Sequence, residues 1–459
     1  MNKQISFKEA VTILILMLVM LGWGVIGFGL SPQIPVLTVI ALLIFWLQIR
    51  GFEWEEVMKG ISQGISTAIV PIFLFLLIGT LIAVWIQAGI IPFLMVLGFH
   101  MISSHFFVPS VFLVCSLVGL AIGSGFTTVS TVGIALFGMG STLGINPALT
   151  AGAIISGAVF GDKMSPLSDS TNLASAVAEA DLFDHIKNMM WSTIPAFIGS
   201  LLFFFFLGQS NKATSLAGIA TVESSLRQHF SVSFWAPLPI ILMFACAWKK
   251  VPAIQTLFAN IFLSVAMIFV QNPGFKMQKL ATLIESGYVS NSGNKTVDAL
   301  LTRGGISSMM GTVSLIIMTL ALGGILMHLG IIDSAMKPLV ERLKKPGRLI
   351  LTTIMAGIGI NLFVGEQYLS VILPANAFKP AYKRIGLDPL ALSRALEDGG
   401  SVINYLIPWG VAGSFVASAL GVPVLDFLPF TMFSLLSPVF SILSGFTGIG
   451  LKWKQEKVA

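Results

Sequence analysis

Along the chain, long apolar stretches alternate with short polar punctuation, and few stretches show the one-faced pattern of a helix half in water. A helix needs about 20 apolar residues to cross the hydrocarbon core. Between breakers and charges, candidate segments fall at 10–30, 34–49, 67–88, 106–123, 126–140, 146–180 and 191–208. Seven more fall at 234–248, 254–270, 306–329, 349–364, 368–378, 389–420 and 427–446. An amphipathic stretch, 52–62, with Glu53, Glu55, Glu56 and Lys59, is expected on the surface. Polar stretches at 209–230 and 271–303 separate the groups. The pattern predicts an all-α polytopic membrane protein of about 12–14 transmembrane segments. The stretches 146–180 and 389–420 exceed one crossing and predict interrupted helices or re-entrant hairpins.

The halves also resemble each other. Gly60-Ile61-Ser62 recurs as Gly305-Ile306-Ser307, and Gly89-Ile90-Ile91 as Gly330-Ile331-Ile332. Leu143-Gly144-Ile145-Asn146-Pro147 matches Ile385-Gly386-Leu387-Asp388-Pro389, 242 residues on, and the same spacing sets Gly157 on Gly399, Asp162 on Asn404 and Pro166 on Pro408. Residues 1–208 and 233–459 are therefore expected to be two repeats joined by a loop at 209–232. Charge makes them inverted. Lys337, Arg342, Lys344, Lys345 and Arg348 lie where the first copy, at 92–109, has no Lys or Arg, and Lys379, Lys383 and Arg384 match the uncharged 137–142. Basic loops are cytoplasmic, so matching loops lie on opposite sides, as an odd seven crossings per copy requires. Lys249-Lys250 and the C-terminal Lys452, Lys454 and Lys457 then lie inside with the N-terminus. Inverted repeats with interrupted helices characterise secondary transporters.

Composition sharpens this. The 459 residues are 55% hydrophobic and 10% charged, against about 25% charged in a soluble domain. The net charge of +6 belongs to the basic loops and does not imply a nucleic-acid partner. Cys115 and Cys246 lie in apolar runs, which excludes a disulfide framework or metal cluster. Lys3 and Lys8 before apolar 11–21 imitate a secretory signal, but no A-x-A site follows and apolar sequence continues through Leu47, so a retained first span is expected. Residues 60–161 contain no Asp, Glu, Lys or Arg, and Asp162 ends that run.

Asp162 opens the densest polar interruption, Gly161-Asp162-Lys163-Met164-Ser165-Pro166-Leu167-Ser168-Asp169-Ser170-Thr171-Asn172. Pro166 gives no N–H and disfavours helix at Ser165, freeing carbonyls that are tolerated at membrane depth only beside a cavity or inside protein. Each central charge costs about 2.5–3.5 kcal/mol. Asp162, Asp169, the hydroxyls of Ser165, Ser168, Ser170 and Thr171, and the freed carbonyls can together hold a dehydrated sodium ion. A carboxylate holds either the ion or a proton, so one site can exchange them. Two plainer readings stand beside this: Asp169 caps the second half-helix, and Lys163 snorkels to an interface instead of pairing with a carboxylate. In the second copy, Glu366 lies between two apolar runs with Asn361 before it and is expected to carry protons or coupling. Glu397 and Asp398 precede Gly399-Gly400-Ser401 and Asn404, and either join the site or pair with Arg394. His185 and His328, near helix ends, are read as structural, and the hydroxyls of Ser124, Thr127, Thr128, Ser130 and Thr131 as helix packing.

The dodecamer from Gly161 to Asn172 resembles the hallmark segment of the NhaC-type sodium/proton antiporters of the ion-transporter superfamily, and the hydropathy layout is similar over essentially the whole chain. The resemblance implies an inner-membrane bacterial antiporter exchanging cytoplasmic Na+ for external H+, and it supports Asp162, Ser165, Asp169 and Thr171 as site residues. It also admits a branch coupling these ions to malate/lactate exchange, for which Lys163 is the cation in the first interruption. Lys163, Ser168, Asn172, Asn361, Asp398 and Asn404 form a wider candidate set. An intramembrane enzyme is disfavoured, since the sequence has no His-Glu-x-x-His zinc motif or Gly-x-Gly-Asp protease motif. The expected partners are the bilayer, Na+ and H+, with no cofactor, leaving open a carboxylate solute and a homodimer.

Overall fold

The computed structural model describes residues 5–101, 106–210, 216–230, 235–249, 251–341 and 343–453. Among these the chain is helical apart from turns and two isolated bridges, Tyr288 with Arg303 and Leu387 with Trp453. Helices α1 (Phe7–Gly22), α2 (Gln33–Ile49), α3 (Trp54–Ser66), α4 (Ile69–Gln87) and α5 (Ile90–Met101) come first. Next are α6 (Phe107–Ile122), α7 (Gly125–Thr128), which passes through a π turn into α8 (Ile134–Thr142), α9 (Pro147–Met164), α10 (Asp169–Ala178) and α11 (Leu182–Ser210). A connecting group, α12 (Leu216–His229), α13 (Leu238–Trp248), α14 (Ala253–Gln271), α15 (Met277–Ser286) and α16 (Lys295–Leu301), leads to α17 (Ile306–His328). The chain continues with α18 (Ile331–Glu341), α19 (Pro346–Val364), α20 (Gln367–Arg384), α21 (Pro389–Leu396) with its π turn Glu397–Ser401, and α22 (Val411–Leu420). Short α23 (Val424–Phe427) and α24 (Met432–Thr447) end it.

Six described helices are long and apolar enough to cross a membrane, and two bent pairs, Pro389–Leu406 with Val411–Leu420 and Val424–Phe430 with Met432–Thr447, raise this to eight. The further segments counted in the sequence include the shorter apolar helices α2 and α6 and the broken pair α9 and α10. The stretch 209–230, read as a loop, is helical over α12, and residues 211–215 and 231–234 lie outside the described residues. So do Lys3, Lys250, Arg342, Lys454 and Lys457 of the charge argument.

The amphipathic α3 is not simply a surface helix. Val57 is buried, Gly60 and Gly64 lie against Leu320 and Gly324 of α17, Glu56 meets His328 at the end of α17, and Glu53, Glu55 and Lys59 are exposed. Gly60-Ile61-Ser62-Gln63-Gly64 has the letter spacing of a hydrolase nucleophile elbow, but it runs through this helix and not through a strand-to-helix turn.

Helix ends repeat at the spacing found in the sequence. Asn146 caps α9 by accepting from the Ala148 N–H with Pro147 in the first turn, and Asp388 caps α21 through the Leu390 N–H with Pro389. Left-handed Gly123 ends α6 and left-handed Gly365 ends α19, with φ of 72° and 68°. A Cβ at Gly157 would lie 2.4 Å from the Phe112 carbonyl, and one at Gly399 would lie 2.6 Å from the Ile354 carbonyl. Only glycine allows those close backbone approaches, and all four pairs stand 242 residues apart.

Candidate functional site

Pro166 leaves Ser165 extended (ψ 129°), and α9 stops at Met164. The chain resumes when Ser168 (ψ 131°) caps α10, its hydroxyl accepting from the Thr171 N–H. The cap is thus Ser168, and Asp169 stands exposed in the first turn, where its charge complements the helix dipole. Much of the broken backbone is braced locally. Thr171 Oγ1 donates to the Lys163 carbonyl at 3.0 Å, and Asn172 Nδ2 donates to the carbonyls of Pro166 and Ser168 at 2.9 and 2.7 Å. The Ser165 hydroxyl accepts from the Leu167 N–H at 3.2 Å.

Asp162 is half-buried and accepts from Ser168 Oγ at 2.6 Å and from the Gly125 N–H, the first of α7. Gly123 lies directly against the backbone of Leu167 and Ser168, where a Cβ would come within 2.9 Å of both. The ends of α6 and α9 and the starts of α7 and α10 therefore converge on one carboxylate. Nearby, Thr128, Ser130 and Thr131 donate back to carbonyls of their own helix, as packing residues do.

A second break, at 407–410, matches the first. Gly365 meets Gly410 and accepts from the Val411 N–H at 2.8 Å. Glu366 caps α20, one carboxylate oxygen accepting from the Leu369 N–H at 2.7 Å, as Ser124 caps α7 through Thr127. Asn404, in the place of Asp162, donates to Asn361 Oδ1 at 2.7 Å and accepts from the Ala412 N–H at 3.2 Å. Asn361 donates in turn to the carbonyls of Gly399 and Gly400 at 3.3 and 2.6 Å, which the π turn frees from regular pairing.

Between the breaks, Lys163 is fully buried and pairs with Asp398 at 2.6 Å; Ser192 and Ser437 hydroxyls bond to both members. Arg394 does not take either acid. It donates to Ser444 Oγ at 2.7 Å and to the Asn188 carbonyl at 3.4 Å. Glu397 is also fully buried, and its Oε1 accepts from Ser170 Oγ at 3.1 Å. His328 lies well away, between Glu56 and Gln63, while His185 is buried with no hydrogen-bond partner among the described residues.

The structure thus brings Asp162, Lys163, Ser165, Ser168, Thr171 and Asn172 together at the first break, with Asp398 paired across to it, and gathers Asn361 and Asn404 at the second. No sequence signal singles out Ser192, Ser437 or Tyr405, and the wider candidate set holds Asp398 but not Glu397. The signal within reach was Glu397-Asp398-Gly399-Gly400-Ser401, two adjacent acids in an apolar span. Chemically, a carboxylate among helix ends, hydroxyls and carbonyls can hold a hard cation or a proton.

A family described as the Na+/H+ antiporter family matches residues 157–449. The chain is 40% identical over 448 residues to the Na(+)/H(+) antiporter NhaC of Bacillus subtilis, covering 97% of this chain and 99% of the relative. It is 36% identical over 456 residues to the Na(+)/H(+) antiporter NhaC of Alkalihalophilus pseudofirmus, covering 99% of each. It is also 36% identical over 460 residues to the arginine/ornithine antiporter ArcD of Halobacterium salinarum, covering 99% and 94%.

Proposed function

The chain belongs to the Na+/H+ antiporter family, and on that premise we propose that it exports cytoplasmic sodium in exchange for external protons. The observation that carries this reading is Asp162, a half-buried carboxylate facing the donors of Ser168 and Gly125 where four helix ends meet. The C-terminal ends of α6 and α9 carry partial negative charge, which favours a cation beside it. Sodium and proton compete for the carboxylate, so one leaves as the other binds. Moving one charge through 100 mV is worth about 2.3 kcal/mol, so an exchange of unequal charge drives sodium out against its gradient.

The recurrence of caps and glycine contacts supports two repeats, and the basic loops of the second support their inversion, with both termini cytoplasmic in a bacterial inner membrane. Alternating access is then the rocking of one repeat against the other around a midplane site.

The likeness to an arginine/ornithine antiporter raises an organic solute as the rival cargo. A carboxylate solute would need a cation at the first break, and Lys163 is already committed to Asp398. Everted vesicles from a host lacking its own sodium/proton antiporters decide between the readings. NaCl alone should collapse a respiratory pH gradient. Collapse only when arginine, malate or lactate is supplied would overturn the cation-only exchange.

A further inference from the structure

Three buried oxygens near the first break have no hydrogen-bond partner among the described residues: Glu397 Oε2, Ser401 Oγ and Tyr405 Oη. Leaving a buried carboxylate oxygen undonated is costly, more so than for a neutral group, so the cluster calls for an explanation. Glu397 sits in the π turn that extends α21, and the Ser401 hydroxyl lies beside its carboxylate in a position that does not close a hydrogen bond of normal geometry. Tyr405 reaches toward Gly125, where a Cβ would lie 2.3 Å from Tyr405 Oη and 3.4 Å from Asp162 Oδ2.

The partnered side of Glu397 leads back to Asp162. Glu397 Oε1 is 3.1 Å from Ser170 Oγ, Ser170 Oγ is 3.1 Å from Ser168 Oγ, and Ser168 Oγ is 2.6 Å from Asp162 Oδ1. Two carboxylates from opposite halves of the chain are thus linked through two hydroxyls. Asp169, by contrast, is exposed. Carboxylate and hydroxyl oxygens are the ligands a hard cation takes, and hydroxyls that now bond to each other can turn their lone pairs to an ion.

We propose that the transported cation is held between Asp162 and Glu397, with the Ser168 and Ser170 hydroxyls completing a site that spans both halves. The Glu397 oxygen without a donor is then a ligand position with Ser401 beside it, and the Tyr405 hydroxyl stands on the Asp162 side of the site. A cation bound there ties α9 and α10 to the π turn after α21, so its loading and release are coupled to the relative position of the halves. The proposal rests on the cation-exchange reading above and adds the second carboxylate to it.

The test is equilibrium binding of 22Na+ to the full chain in lipid nanodiscs, with vesicle exchange measured in parallel. Glu397→Gln should weaken sodium binding by at least about tenfold. Glu397→Asp, which draws the carboxylate back by about one carbon–carbon bond, 1.5 Å, should change the ratio of Na+ to Li+ affinity, which a merely structural residue would not do. Glu397→Gln binding within about twofold of the wild type, in a wild type that exchanges sodium, overturns the assignment and leaves the function standing. A wild type that neither binds nor exchanges sodium overturns the function itself. Should Glu397→Gln fail to fold, Ser170→Ala keeps both carboxylates and decides: weakened sodium binding is expected, and wild-type affinity overturns the shared site.

Discussion

At the first break the carboxylate of Asp162 faces a hydroxyl and a backbone N–H, and 242 residues later the amide of Asn404 faces another amide and a backbone N–H. The backbone around them is alike: a left-handed glycine and a gap containing a proline in each, although Ser168 caps α10 and α22 starts at Gly410 without a side-chain cap. The donors differ. Asn361 and Asn404 satisfy each other, two carbonyls and the start of α22, so the amide in the place of Asp162 brings no charge of its own. Asp162 is held by groups that a cation or a proton can replace. On the proposed reading, similar backbone holds itself together at the second break and serves ion chemistry at the first.

The Lys163–Asp398 pair joins these regions, and breaking it should have the largest effect on stability. Lys163→Met leaves Asp398 buried with only the Ser192 and Ser437 hydroxyls, and removing one partner of a buried pair costs about 3–5 kcal/mol. Thermal loss of monodispersity in detergent should shift down steeply. An unshifted transition would mean that the two serines alone satisfy Asp398.

Asn404→Asp makes the second break imitate the first and should cost somewhat less. The new carboxylate keeps the Ala412 N–H but sets its other oxygen against Asn361 Oδ1, and turning that amide forfeits its bonds to Gly399 and Gly400. A buried charge without matching donors should cost about 3 kcal/mol, read in the same thermal assay. A variant as stable as the wild type would show that the two breaks are chemically interchangeable.

The smallest effect lies at the outer ends of the half-helices. Glu179 closes α10 in the left-handed region (φ 64°) where Gly421 closes α22 (φ 71°), and its carboxylate meets Lys379 at 2.6 Å and Lys383 at 3.2 Å. Lys379 and then Lys383 hold the Glu179 carboxyl below the usual carboxylate range. A lowered folded value means that this pairing contributes above the ordinary carboxylate range and is lost as pH falls through the lowered value. Wild type and Glu179→Gln should therefore differ slightly and constantly at neutral and alkaline pH, converging in acid and in high salt. A difference that grows toward alkaline pH would contradict the assignment.

The interruption at Pro166 and the repeat spacing were legible because proline, glycine and capping residues act locally: Asn146-Pro147 and Asp388-Pro389 state their structural role within two letters. Glu366 was harder. Its charge inside an apolar span points to coupling, and its position one residue after Gly365 also makes it a cap, the counterpart of Ser124, a second role that its charge alone does not signal. Glu397 and Asp398 could not be sorted from the sequence at all. Neighbouring residues on a helix point in different directions, and which acid meets Lys163 and which meets Ser170 is fixed by packing between distant segments and by the π turn. Lys163 carried the same ambiguity, since snorkelling and burial read alike until its partner is known.

The central claim is that Asp162, and not its counterpart Asn404, handles the exchanged ion. Sodium-driven collapse of the pH gradient in everted vesicles, with equal amounts of wild type and Asp162→Asn verified in the membrane, tests it most directly. The account predicts that the wild type responds and that Asp162→Asn, whose first break then carries the same amide as the second, gives no response above empty vesicles. Full sodium-driven exchange by Asp162→Asn would contradict it.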